Sequence, residues 1–168
     1  MPELIAPDAR LHAAWLDAHA EWGEGPHEDG FGILPTDEVR TTPGFEAWIT
    51  RLAADHTTCT YRWIVEDGRV LGGIALRHEY TDYVSWAGHI GYGIRPTARR
   101  RGLATWALGR MLGEAQDRGI ARVLVVCALD NDASARTIER NGGVFEKIGD
   151  TKFGQVRRYW VEIPAVTG

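Results

Sequence analysis

A chain of 168 residues, 44% hydrophobic and 25% charged, can bury one core and is too apolar to stay disordered. Its net charge of -4 gives no general basic field, so nucleic acid is not an expected partner. Cys59 and Cys127 form no Cys-x-x-Cys pair, which argues against a disulfide scaffold or a cysteine-rich zinc site, and no metal is expected.

Met1-Pro2-Glu3 lacks the basic and apolar regions of a secretory leader. Pro2 to Ala6 suits a short strand, and Asp8 suits a helix cap. Leu11, Ala14, Trp15, Ala18 and Trp22 then recur at helical spacing, until Gly23, Gly25 and Pro26 stop the run. A loop to about Thr42 leads to Pro43, well placed as a first helical residue, and to the stripe Phe45, Trp48, Ile49, Leu52. From Cys59 the period shortens. Tyr61, Trp63 and Val65 alternate with Arg62, Ile64 and Glu66, and Asp67-Gly68 predicts a hairpin turn into a strand over Val70–His78. Thr81 and Asp82 read as a turn and Trp86–Arg95 as another strand, which Pro96 ends. Leu103, Ala107, Met111 and Ala115 mark a helix over Arg101–Arg118, closed by Gly119. The longest apolar run, Val123 to Leu129, is too short to span a bilayer, and its first six residues suit a buried strand. Asn131–Asn141 reads as a short helix, and Val144–Ile148 and Val156–Ile163 as two last strands. No linker divides the chain, so residues 1–168 are expected to form a single domain, cytoplasmic and without membrane contact. Its order predicts an α/β (α+β) fold, with a mixed sheet and helices on both faces.

The stretch richest in chemistry is Gly91-Tyr92-Gly93-Ile94-Arg95-Pro96, followed by Thr97-Ala98-Arg99-Arg100-Arg101-Gly102-Leu103-Ala104. A strand runs through a turn into a helix whose start is small enough for a ligand to approach the backbone. The first N–H groups of a helix lack internal partners and lie at the positive end of its dipole, which suits a pyrophosphate. Arg99, Arg100 and Arg101 add charge there, and guanidinium groups match phosphate oxygens in two-point geometry. Neither a Walker loop nor a dinucleotide fingerprint is present, because Pro96 stands where the latter needs glycine. The alternative is a solvated basic turn.

Here the sequence resembles the GNAT superfamily, the Gcn5-related N-acetyltransferases. Arg99 to Ala104 fits the family's Gln/Arg-x-x-Gly-x-Gly/Ala signature. Asn131-Asp132-Ala133-Ser134 looks like its Asn-x-x-Ser helix, and the element spacing agrees from about residue 60 onward. Arg77-His78, with Gly88-His89-Ile90-Gly91-Tyr92, is similar to a branch of predicted acetyltransferases. The resemblance implies a splayed central sheet of six to seven strands and acetyl-CoA as cosubstrate. Pantetheine would bond to the backbone near Ile94, and the amides from Arg100 to Ala104 would hold the pyrophosphate. Asn131 would contact the pantetheine or line the acyl site; read from the residues alone, it caps a helix by reaching Ser134. Possible homodimerisation through late strands is also a family trait.

Acyl transfer to an amine needs a base for the amine proton and a proton for the leaving thiolate. His89 is the first candidate base, since regular alternation would put it on one bare face with Gly91 and Gly93. A histidine hydrogen-bonded in the core is the other reading. His78 and Glu79 are alternatives, and many GNAT enzymes use a carboxylate in this region. Family members often carry an acidic tyrosine where this chain has Ile138, so Ser134 or Tyr92 would have to supply the proton, or the thiolate would leave unaided. Cys127 could form an acyl-enzyme, although burial as a small apolar residue fits it better.

Between Glu21 and Val39, Glu21, Glu24, Glu28, Asp29, Asp37 and Glu38 have no lysine or arginine among them. They read either as an acidic rim that attracts a cationic amine or as a solvated loop. Trp22, Phe31 and Trp48 could wall a pocket there or belong to the core. The expected activity is transfer of acetyl to a primary amine, of a small molecule or a protein N-terminus, by direct attack in a ternary complex. A non-catalytic acyl-CoA sensor and a plain nucleotide-binding domain are the alternatives.

Overall fold

A computed structural model describes residues 1–23 and 29–166. Seven strands, β1 (Glu3–Ile5), β2 (Cys59–Glu66), β3 (Arg69–Arg77), β4 (Ile90–Ile94), β5 (Arg122–Ala128), β6 (Val144–Thr151) and β7 (Gly154–Glu162), lie among the described residues. The helices are α1 (His12–Ala20), α2 (Thr42–Ala54), α3 (Asp82–Ala87), α4 (Leu103–Asp117) and α5 (Asp132–Arg140). The strands form a four-stranded sheet, β1-β2-β3-β4, and a three-stranded sheet, β5-β7-β6. The chain divides into two compact units. One comprises residues 1–75 and 92–103, the other residues 76–91 and everything from 104 on.

In the first unit, β1 runs antiparallel to β2, with Leu4 opposite Ile64 and Ile5 opposite Trp63. Asp67 and Gly68 both have positive φ (52° and 75°), as a two-residue hairpin turn demands. The apolar stripes of α1 and α2 meet in an aromatic core of Trp15, Phe31, Phe45, Trp48 and Trp63, all essentially without solvent contact. Rings lie 4.9 Å apart between Trp15 and Trp48 and 5.6 Å between Trp15 and Phe31, within the usual range for tilted aromatic pairs. Thr41 caps α2 by accepting the Gly44 N–H, and Pro43 sits in its first turn. Residues from Val70 to Leu76 are buried without a break, so β3 is covered on both faces and its sequence does not alternate.

In the second unit, β7 pairs antiparallel with β5, placing Leu124 opposite Trp160 and Cys127 opposite Arg157. β6 pairs with the other edge of β7, with a bulge between Phe145 and Lys147. Ala107, Leu108, Met111 and Ala115 form the buried face of α4, and Gly119, at φ 74°, ends that helix.

One element departs from the sequence expectation. Trp86 belongs to the short helix α3 rather than to a strand. Thr81 caps it by accepting the Val84 N–H, so the turn residues Thr81 and Asp82 start a helix and β4 begins only at Ile90. Among the described residues no helix is long and apolar enough to cross a membrane.

Candidate active site

The turn between β4 and α4 lies in the first unit. Arg95 leaves β4 with its N–H on the Leu71 carbonyl at 2.8 Å, and Pro96–Ala98 form a 3-10 turn. Arg100 (φ 66°) and Gly102 (φ 76°) are both left-handed. Alternation of this kind turns successive N–H groups toward one side, as in anion-binding nests. A Cβ built on Gly102 meets nothing within 4 Å, so the backbone there is open to an approaching ligand. The first amides of α4 follow at once, with no carbonyl four residues back to take them.

The three arginines have different tasks. Arg99 donates from Nε to the Ile94 carbonyl at 2.9 Å, closing the turn on itself. Arg101 pairs with Glu66 at 2.7 Å, and that hydrogen bond holds the Glu66 carboxyl below its ordinary range. Arg100 is exposed at the point where the backbone is left-handed. It is the arginine best placed for an anion.

Beneath the turn lies an ion knot that the sequence reading missed. The Arg95 side chain is only 3% exposed. It donates to Asp17 at 2.7 Å, to Glu21 from Nε at 2.6 Å, and to the Val70 carbonyl at 3.2 Å. Glu21 also accepts the Thr97 N–H at 3.0 Å and the Thr97 hydroxyl at 2.9 Å. The end of α1 thus anchors the first residues of the turn. Arg95, ahead of Thr97, holds the Glu21 carboxyl down at about 2. A folded-state value below the unfolded one means the knot stabilises fully above the ordinary value of 4.5. That contribution fades as pH falls toward 2.

The described carboxylates of the acidic stretch are therefore engaged rather than free. Glu21 is spent on Arg95 and Thr97. Asp29 accepts the Phe31 N–H at 2.9 Å, Asp37 accepts the Leu34 N–H at 2.7 Å and pairs with Arg51 at 2.6 Å, and Glu38 accepts the Arg40 N–H at 2.8 Å. Glu24 and Glu28 lie outside the described residues. Phe31 and Trp48 are core residues, and Trp22 packs half-buried against them.

The second unit carries the remaining candidates. Asn131 caps α5 by accepting the Ser134 N–H at 3.1 Å, the capping reading of that residue. The Ser134 hydroxyl hydrogen-bonds to Cys127, whose thiol burial pushes up in pKa. Cys127 is only 7% exposed, so it is a poor acyl acceptor. Ile138, which stands in place of an acidic tyrosine, is wholly buried. A different tyrosine lies close by: Tyr159 on β7 donates to Glu139 at 3.0 Å and hydrogen-bonds to Arg157. Arg157 in turn reaches Asp132 at 2.6 Å. Cys127, directly opposite Arg157 on β5, links this polar strip to Ser134. The strip escaped the sequence reading because strand pairing, not local spacing, assembles it.

His89 does not have the environment of a base. It is 4% exposed, and its Nδ1 accepts the Leu124 N–H at 2.8 Å. Nε2 therefore carries the proton of the neutral ring, and the one available lone pair is already used. Burial, and then the charge of Arg77, hold its pKa down at about 4. His78 stands half-buried just past β3, and Glu79 beside it is exposed. Ile94, Arg99, Arg100, Arg101, Gly102 and Leu103 are thus gathered in the first unit, with Ala104 next along α4, while in the second Asn131 meets Ser134 and Ser134 meets Cys127.

Residues 8–144 match the family profile described as "Acetyltransferase (GNAT) domain". Among curated proteins none matches. Of the solved structures, the chain is similar to a Salmonella typhimurium acetyltransferase that modifies the N-terminal serine of ribosomal protein L7/L12. Identity is 17% and TM-score 0.72, with 97% of this chain and 95% of the other covered. It is also similar to Mycobacterium smegmatis RimJ in complex with CoA-disulfide, at 16% identity and TM-score 0.75 over 96% and 81%. The microcin C7 self-immunity acetyltransferase MccE, in complex with acetyl-CoA and AMP, matches at 17% and TM-score 0.70 over 96% and 92%.

Proposed function

Since the chain belongs to the GNAT acetyltransferase family, enzymes that draw their acyl group from acetyl-CoA, we propose that it transfers acetyl to the α-amino group of a protein or peptide. The observation that carries the reading is the left-handed turn at Arg100 and Gly102, open to a ligand and braced from below by Glu21 and Arg95. The diphosphate of acetyl-CoA would sit on the amides of Arg100 to Ala104, with the Arg100 guanidinium at its side. Pantetheine would follow the backbone near Ile94. The residues present fit the cosubstrate: backbone donors, the exposed Arg100 guanidinium and no side chain at position 102.

In the reaction the neutral amine attacks the thioester carbonyl, the tetrahedral intermediate expels the CoA thiolate, and the ammonium proton is lost. An α-amino group titrates near 8, well below a lysine at about 10.4, so a useful fraction is neutral without a strong base. That choice of acceptor agrees with a His89 whose lone pair is committed. It also agrees with the L7/L12-modifying acetyltransferase, which acts on an N-terminal serine. Glu79 or His78 would take the proton through water, and Ser134 would donate to the thiolate.

The second reading is an acyl-CoA sensor without turnover, favoured by the buried Ile138 and the engaged His89. The test is release of CoA thiol from acetyl-CoA across peptides with free N-terminal Ser, Ala or Met, the same peptides N-acetylated, and free polyamines. The proposal expects one acetyl added per thiol released, seen by mass spectrometry, only on free N-termini. Saturable acetyl-CoA binding with no product from any amine selects the sensor.

A further inference from the structure

The surroundings of His89 lie wholly within the second unit and form a closed pattern. Its backbone N–H donates to the Leu124 carbonyl at 2.7 Å, and its ring Nδ1 accepts the Leu124 N–H at 2.8 Å. One residue thus satisfies both backbone groups of one residue of β5. In an ordinary ladder the Leu124 N–H would be taken by a backbone carbonyl of the neighbouring strand, and pairing would continue. On its other side the His89 carbonyl accepts the Arg77 N–H at 2.7 Å, and Arg77 holds the Gly88 carbonyl at 3.0 Å. Gly88, at φ 87°, lies so close to β5 that an added Cβ would stand 3.0 Å from the Leu124 oxygen. The rings of Tyr80 and Trp160, at 5.9 and 6.4 Å, flank the imidazole.

We infer that His89 is a positioning residue. Its ring stands in for a backbone carbonyl, ends the pairing of β5 at Leu124 without leaving a buried N–H unpaired, and so fixes the strand that carries Cys127 toward Asn131 and Ser134. Leu124 has its N–H satisfied by the His89 ring and its carbonyl by the His89 amide, while its register with Trp160 on β7 is kept. Only an acceptor of this reach at residue 89 does this. A buried donor stripped of its acceptor loses far more than an ordinary hydrogen bond contributes. The effect on turnover rests on the acetyltransferase reading; the structural bond does not.

The experiment compares His89→Phe, which keeps a ring and removes the acceptor, with His89→Gln, whose amide oxygen can take the Leu124 N–H. In the unsubstituted protein, ring ¹⁵N signals should show a bare Nδ1 and a protonated Nε2 from pH 5 to 9. His89→Phe should speed hydrogen exchange at the Leu124 amide. It should also lower kcat about tenfold while KM for acetyl-CoA changes less than about twofold, because the acyl-site strand moves and the diphosphate site does not. His89→Gln should restore slow exchange and most of kcat, with an unaltered pH–rate profile. The inference falls if Leu124 exchange is the same in His89→Phe. It also falls if His89→Gln loses as much rate as His89→Phe and flattens the acid limb of the profile, the mark of a base. A protein that turns over no amine would sink the acetyltransferase reading, and the exchange and ¹⁵N measurements would still decide the role of His89. Should His89→Phe fail to fold, the ¹⁵N tautomer and His89→Gln carry the decision.

Discussion

Gly72→Ala should be among the most damaging single changes in the protein. β3 lies between β2 and β4, and a Cβ at residue 72 would stand 2.2 Å from the Gly93 carbonyl oxygen and 3.1 Å from the end of Ile94. A flexible side chain could swing away from such a contact. The Gly93 oxygen is backbone, and the bond from the Arg95 N–H to Leu71 pins the register beside it. The strand must move, in a segment buried on both faces, at a cost of about 3 kcal/mol. Equilibrium urea unfolding should show the midpoint fall with little change in slope. Gly113→Ala is the control. It lies inside α4 with nothing within 4 Å of its added Cβ, and helix propensity should make that change neutral or stabilising by about 0.5 kcal/mol. Equal losses from both would contradict the close approach of β3 and β4 at Gly72.

Arg100→Glu should raise KM for acetyl-CoA by between about tenfold and 100-fold while leaving kcat nearly unchanged, since a charge-assisted contact to a diphosphate is lost and a repulsion gained. Arg101→Ala should do much less, because its guanidinium already faces Glu66. Arg99→Ala should act indirectly, by releasing the Ile94 carbonyl and loosening the turn. Steady-state kinetics at two salt concentrations give the check, with the arginine-dependent part shrinking at high salt. An unaltered KM for Arg100→Glu would move the diphosphate elsewhere.

Much of this architecture was legible because local chemistry and tertiary burial agree. The α4 stripe, with Gly119 as its stop, and the Asn131 cap of α5 needed nothing beyond helical spacing and cap preference. The left-handed turn into α4 was legible for the same reason, since glycine and strand-to-helix order sit within one short stretch. What the sequence concealed is long-range. Arg95 meets Asp17 and Glu21 from more than seventy residues away. The faint trace is two carboxylates four apart, one in α1 and one at its C-terminal cap, and an arginine just before a proline. His89 looked like a free titratable group beside bare glycines, yet its ring is committed to an amide 35 residues on. The acidic stretch after α1 suggested a field, but each described carboxylate is matched to a nearby backbone N–H or an arginine. Trp86 favoured a strand by aromatic propensity, and the Thr81 cap overrode it.

The most direct measurement is titration of the ¹⁵N-labelled protein with acetyl-CoA, following each backbone amide. Saturable shifts centred on Arg100, Arg101, Gly102 and Leu103, weaker with ATP at equal concentration, are the predicted result. Amides of that turn left unmoved at saturating acetyl-CoA would contradict the account.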